Sequence, residues 1–129
     1  MIRAVIFDAL GVLYVHGKLD KNLAAFLREK GDQFKFVLCT ASGQSMLEAL
    51  RADGILEHFD LLVTAENNPK QKNDPTLYTE IAETLQIEPE QMLFLDDTIA
   101  FVRAARKAGI RAIHYTDPES FVLDHTHEH

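Results

Sequence analysis

The chain is predicted to adopt an α/β fold, a three-layer α/β/α sandwich around a parallel sheet of five strands. Three observations predict it. Short apolar runs at 4–7, 34–39, 59–63, 92–95 and 111–115 alternate with segments whose apolar residues recur at helical spacing. The helical segments are about 10–13 residues long, enough for right-handed crossovers between parallel strands. A polar residue also stands at or just beyond several of these strand ends, and parallel strands deliver their carboxyl ends to one edge.

Residues 4–7 are branched and apolar and are bounded by Asp8 and Gly11, the pattern of a buried strand. Asp20 is placed to cap a helix over about 21–30, with Leu23, Phe26 and Leu27 on one face and Gly31 as its stop. Strand 34–39 follows. Ser42 or Gly43 then opens a helix that carries Met46, Leu47 and Leu50 inward and ends near Gly54. Strand 59–63 leads into the polar stretch 66–74. Asp74-Pro75 starts the next helix, with proline in its first turn and Leu77, Tyr78, Ile81 and Leu85 at helical spacing. Strand 92–95, a helix over 98–108 stopped by Gly109, and strand 111–115 complete the core. Asp117-Pro118 is expected to open a last helical turn.

With 129 residues the chain reads as one domain over 1–124, followed by a His-rich tail at 125–129 expected to be exposed, disordered and without function. Hydrophobic residues make up 47% and charged ones 26%, the balance of a globular protein rather than a disordered one. A net charge of −7 argues against nucleic acid as a partner. No apolar run is long enough to span a membrane, and no signal peptide is legible. The single cysteine, Cys39, lies within an apolar strand and reads as a buried thiol, in keeping with an expected cytoplasmic location.

The candidate site residues are Asp8, Thr40, Lys72 and the pair Asp96 and Asp97. Each alone has an ordinary explanation. Asp8 could hydrogen-bond its own turn, Thr40 could cap a helix, Lys72 could be a solvated loop lysine, and Asp97 could complement a helix dipole. Two adjacent acids after an apolar strand are harder to explain, because they repel unless a cation or base is near. Together, a carboxylate, a hydroxyl, an ammonium and an acidic pair on one sheet edge suit an oxyanion and a divalent cation.

In order and spacing, VIFDALGVLY, FVLCT, KNDP and MLFLDD resemble the four motifs of the haloacid dehalogenase superfamily. The segments GILEHFDLLVTAEN, DPTLYTEIAETLQIEPEQMLFLDD and FVRAARKAGIRAIHY look like its phosphatase-like branch. The receiver domain, a rival phosphoaspartate fold, has its acidic pair early and its lysine last, which the order here excludes. The resemblance implies a Rossmann-like core in which Asp8 is the nucleophile that forms an aspartyl-phosphate. It implies Mg2+ held by the Asp8 carboxylate, the backbone carbonyl of Leu10 and Asp97, with Asp96 adjacent. Thr40 and Ala41 would bind the phosphoryl group, and Lys72 would neutralise it. Lys70 competes for that last role, but Lys-x-Asp-Pro at 72–75 fits the family pattern better.

One departure limits the resemblance. The phosphatases carry an acid two residues after the nucleophile, and here that position is Leu10. Losing a general acid/base typically costs about 10²–10⁴ in rate. His16 and Tyr14 are nearby substitutes. The intervals from Asp8 to Thr40 and from Thr40 to Lys72 are filled by core elements, so no cap domain is expected. A phosphorylated small molecule or a macromolecule would then be the substrate, with homo-oligomerisation left open as a way to cover the site. The expected activity is a weakened Mg2+-dependent phosphohydrolase. A catalytically silent phosphate- or Mg2+-binding protein is the alternative, and 2-haloacid dehalogenation, a metal-free reaction, a distant third.

Overall fold

A computed structural model describes residues 1–116, and the predictions for Asp117-Pro118 and for the tail at 125–129 lie outside the described residues. In chain order the elements are β1 (Ala4–Phe7), β2 (Tyr14–Val15), β3 (Lys18–Leu19), α1 (Lys21–Glu29), β4 (Lys35–Cys39), α2 (Gln44–Ala52), β5 (Leu61–Val63), α3 (Pro75–Leu85), β6 (Met92–Asp96), α4 (Ile99–Lys107) and β7 (Arg111–His114). The main sheet runs β5-β4-β1-β6-β7 with every pairing parallel. This is the Rossmann-like α/β core that the alternation of elements predicts.

Period-two alternation along the strands splits the interior into two cores. On one face Val5, Phe7, Phe36 and Leu38 pack with Leu23, Phe26 and Leu27 of α1 and with Met46 and Leu50 of α2. On the other, Ala4, Ile6, Val37 and Phe94 pack with Tyr78 and Ile81 of α3 and with Val102 and Ala105 of α4. Strands buried on both faces read as continuous apolar runs, and for that reason β1 and β4 are visible in the sequence.

Two local differences from the expected elements have clear causes. Residues 56–58 form a 3₁₀ turn, so β5 starts at Leu61 rather than Phe59. The Phe59 ring instead meets Phe7 edge-on at 6.1 Å. Between β1 and α1, β2 and β3 form a small antiparallel hairpin that the sequence reading treated as loop. Its two-residue turn, His16-Gly17, has positive φ at both positions, 54° and 76°, as tight hairpin turns require.

The sheet has two free edges, and a side chain meets a backbone carbonyl on each. Asn67 donates from Nδ2 to the Leu62 carbonyl at 2.8 Å. Arg106 of α4 donates to the Ala112 carbonyl through Nη2 at 2.9 Å.

Strand order reverses around β1: the chain moves outward through β4 to β5, then returns past β1 to β6 and β7. Ligands of open α/β sheets bind outside the carboxyl ends of the strands at such a switch point. Asp8, Thr40 and Asp96 stand there.

Candidate functional site

Asp8 follows the last residue of β1 and is fixed by its backbone N–H, which donates to the Leu95 carbonyl at 3.1 Å. Its side chain is buried, with the residue 7% exposed. Lys72 arrives from the loop between β5 and α3 and is also buried. Its Nζ donates to Asp8 Oδ1 at 2.8 Å and lies 2.6 Å from Asp96 Oδ2. The second contact is an ion pair outside hydrogen-bond geometry, which leaves Asp96 Oδ2, on a fully buried residue, without a hydrogen-bond partner. Asp96 Oδ1 accepts from the Thr98 N–H at 2.9 Å. One ammonium thus bridges the ends of two neighbouring strands.

The surroundings of Lys72 favour its charge. The Tyr78 hydroxyl donates to the Lys72 carbonyl at 2.5 Å and fixes the backbone. The ammonium sits 4.9 Å from the Phe101 ring centroid and 5.7 Å from that of Phe94, within cation–π range.

Asp97 is exposed, and it does not cap α4; Thr98 occupies the cap position. Carboxylate oxygens of Asp8, Asp96 and Asp97 lie within 4.8 Å of one another. Gly11 makes this possible. Its φ is +91°, and a Cβ there would sit 2.0 Å from Asp97 Oδ2. The bare backbone beside Leu10 is what the Asp97 carboxylate rests against.

Three acids around one lysine leave the cluster negative. Burial pushes the Asp8 carboxyl up to about 7 against the pull of Lys72, and Asp96 and Asp97 add to the rise. Burial raises Asp96 as well, again opposed by Lys72. Burial alone would lower Lys72, but Asp8 and Asp96 outweigh it, so the ammonium is held above its ordinary value. The donor set fits a hard divalent cation: carboxylate oxygens only, with three acids facing a single ammonium.

Thr40 is buried past the end of β4, and its Oγ1 accepts from the Ser42 N–H at 3.1 Å. It shapes the loop rather than capping α2, which begins at Gln44 with Gly43 as its cap residue. Thr40, Ala41 and Lys72 line a common cavity of about 410 Å³. The structure therefore brings Asp8, Lys72, Asp96 and Asp97 together and sets Thr40 and Ala41 at the adjoining cavity. Lys70 also lines that cavity, but its ammonium pairs with Glu80 at 3.2 Å rather than with the acid cluster.

Leu10 does not enter the cluster with its side chain. It is 57% exposed, so an aliphatic group faces solvent where the phosphatases have an acid. Tyr14 does not replace that acid, since its hydroxyl donates to Asp53 at 2.6 Å and burial holds its pKa above the usual phenol value. His16 sits in the hairpin turn. Sequence reasoning missed Gly11 as the seat of Asp97 and Tyr78 as the anchor of Lys72. Glycine three residues after a strand-end aspartate was the available signal for the first; the second had none.

Comparison with known proteins converges on one group. The model of the haloacid dehalogenase-like hydrolase family matches residues 9–109. A phosphorylated carbohydrates phosphatase of Thermotoga maritima is 33% identical over 86 residues, covering 66% of this chain and 40% of that protein. A GMP/IMP nucleotidase of Escherichia coli is 30% identical over 99 residues, 76% of this chain and 44% of that protein. The chain thus spans less than half the length of these two relatives. A haloacid dehalogenase family enzyme of Bacteroides thetaiotaomicron, solved with magnesium and inorganic phosphate, superposes with a TM-score of 0.75 at 12% identity, covering 88% of this chain and 93% of that one.

Proposed function

Because the chain belongs to the haloacid dehalogenase-like hydrolases, we propose that it is a phosphohydrolase working through an aspartyl-phosphate on Asp8. The observation that carries this reading is the buried Asp8–Lys72–Asp96 bridge at 2.8 and 2.6 Å, with Asp97 alongside. Its relatives act on phosphorylated carbohydrates and nucleotides according to their names. A phosphorylated small molecule is accordingly the expected substrate.

In the proposed reaction an Asp8 oxygen attacks phosphorus as the bond to the leaving oxygen breaks. Water then attacks phosphorus of the aspartyl-phosphate, releasing phosphate and restoring the carboxylate. Lys72 supplies positive charge beside Asp8 throughout, and it cannot swing away because Asp96 holds it and Tyr78 fixes its backbone. Thr40 and Ala41 bind phosphoryl oxygens. Mg2+ would be held by the carboxylates of Asp8 and Asp97 and the carbonyl of Leu10, with Asp96 adjacent. When bound it would offset the negative charge of acids and phosphate.

Leucine at position 10 can neither give a proton to the departing oxygen nor take one from water. The enzyme should therefore favour leaving groups that depart unprotonated, such as aryl and acyl phosphates, and hydrolyse the phosphoenzyme slowly. Hydrolysis of p-nitrophenyl phosphate in Mg2+ by native protein and by Asp8→Asn tests the reading. Loss of activity in the variant is expected; equal rates would overturn it. The exposed Leu10 side chain also favours a second reading, a catalytically silent phosphate- and Mg2+-binding protein.

A further inference from the structure

We infer that Glu66 is a positioning residue: its carboxylate clamps the loop between β4 and α2 and so sets the backbone amide that meets the phosphoryl group. This deepens the phosphohydrolase reading and rests on it. Glu66 lies in the loop after β5, outside the acid cluster, and its Oε1 accepts from the Gln44 N–H at 3.2 Å. Gln44 opens α2, whose cap residue, Gly43, has no side chain to satisfy the free amides of that end. A carboxylate from another loop does so instead, and its charge suits a helix N-terminus.

Gly43 makes room for it. A Cβ there would sit 2.2 Å from Glu66 Oε1. The φ of Gly43 is −109°, outside the left-handed region, so it is the approach of the carboxylate that excludes a side chain. The other end of the same loop is held by the same stretch of chain, since the Thr40 N–H donates to the Val63 carbonyl at 2.9 Å. Residues 63–66 therefore grip both ends of loop 40–44. Glu66 is itself held, because its N–H donates to Oγ1 of the buried Thr64 at 3.3 Å.

The consequence falls on Ala41. Along loop 40–44 the amides of Thr40, Ser42 and Gln44 are committed, to the Val63 carbonyl, to Thr40 Oγ1 and to Glu66. Among the described residues the amides of Ala41 and Gly43 have no partner, and of the two only Ala41 lines the cavity shared with Lys72. An amide that meets developing charge works best when its loop cannot shift.

The test measures kcat/KM for p-nitrophenyl phosphate in Mg2+, with Tm as a check on folding. The proteins are native, Glu66→Ala, Glu66→Gln, Gly43→Ala and the double variant Gly43→Ala/Glu66→Ala. In Glu66→Ala the value should fall about tenfold, less than the roughly 10²–10³ that loss of such a donor costs, because the Ala41 amide is loosened rather than removed. Glu66→Gln keeps an oxygen that can accept from Gln44 and should retain most of the native value. Gly43→Ala should match Glu66→Ala, since the methyl displaces the carboxylate, yet should cost less than about twofold more once Glu66 is gone. A lowered Tm with kcat/KM unchanged would mark a purely structural contact and overturn the assignment. So would a Gly43→Ala loss of equal size with and without Glu66, or a Gln variant as slow as the Ala one. Should Glu66→Ala not fold, Gly43→Ala set against Glu66→Gln decides. If native protein hydrolyses nothing through Asp8, the hydrolytic reading falls. Calorimetric affinity for inorganic phosphate in Mg2+ then judges the clamp by the same pattern across these proteins.

Discussion

Lys72→Met removes one cation from between two carboxylates that are 7% and 0% exposed. Both contacts, 2.8 and 2.6 Å, are lost at once, and Asp8 and Asp96 are left facing each other in a buried site. Breaking a buried ion pair on one side costs about 3–5 kcal/mol. The protein has a way to reduce that cost, which is to protonate the acids. Burial already raises Asp8 to about 7, and it rises further without the ammonium. The sign follows from linkage. A carboxyl raised in the folded state makes that state bind more protons than the unfolded one. Stability then falls as pH climbs from the unfolded pKa near 4 to the folded value, by up to about 1.4 kcal/mol per pH unit per extra proton. The variant should therefore lose about 3–5 kcal/mol relative to native at pH 8, and distinctly less at pH 5. Urea unfolding at both values, without divalent cation, measures the difference. A loss below about 1 kcal/mol at pH 8, or one that is the same at pH 5, would refute the idea that Lys72 is there to compensate buried charge.

Three further outcomes are expected. Gly11→Ala should destabilise by about 1–2 kcal/mol through its left-handed backbone alone and should also weaken Mg2+ binding, because the new methyl displaces Asp97; unchanged Mg2+ affinity by calorimetry would break the link between the two residues. Leu10→Asp should raise kcat for alkyl phosphates by about 10²–10⁴, with a smaller gain for aryl phosphates that leave without a proton. No gain on either would favour the silent reading. Mg2+ should raise the Tm more at pH 8 than at pH 5, since acids that are raised when empty must ionise to bind it; thermal scans that show the reverse order would count against a carboxylate-held ion.

The central strands and their terminal acids were legible because a strand buried on both faces has to be apolar until it reaches the edge. Asp8, Thr40 and Asp96 interrupt such runs, so their convergence followed from topology alone. Lys72 could be told from Lys70 only by the motif around it, and the structure separates them by burial and partner. The β2–β3 hairpin was illegible for a physical reason. Its strands are two residues each, bury little, and carry no alternation to read. Its one signal was His16-Gly17, where a non-glycine residue takes a positive φ. Contacts such as Tyr78 to the Lys72 carbonyl join an apolar helix position to a loop, and a helical apolar pattern describes that tyrosine only as core.

The two side chains that occupy the sheet margins, Asn67 from the loop after β5 and Arg106 beside β7, affect how copies of this molecule can meet. An open margin invites a neighbour's strand, and repeated pairing of that kind leads toward fibrils. With a carbonyl engaged on each flank, a second copy gains little by lengthening the sheet.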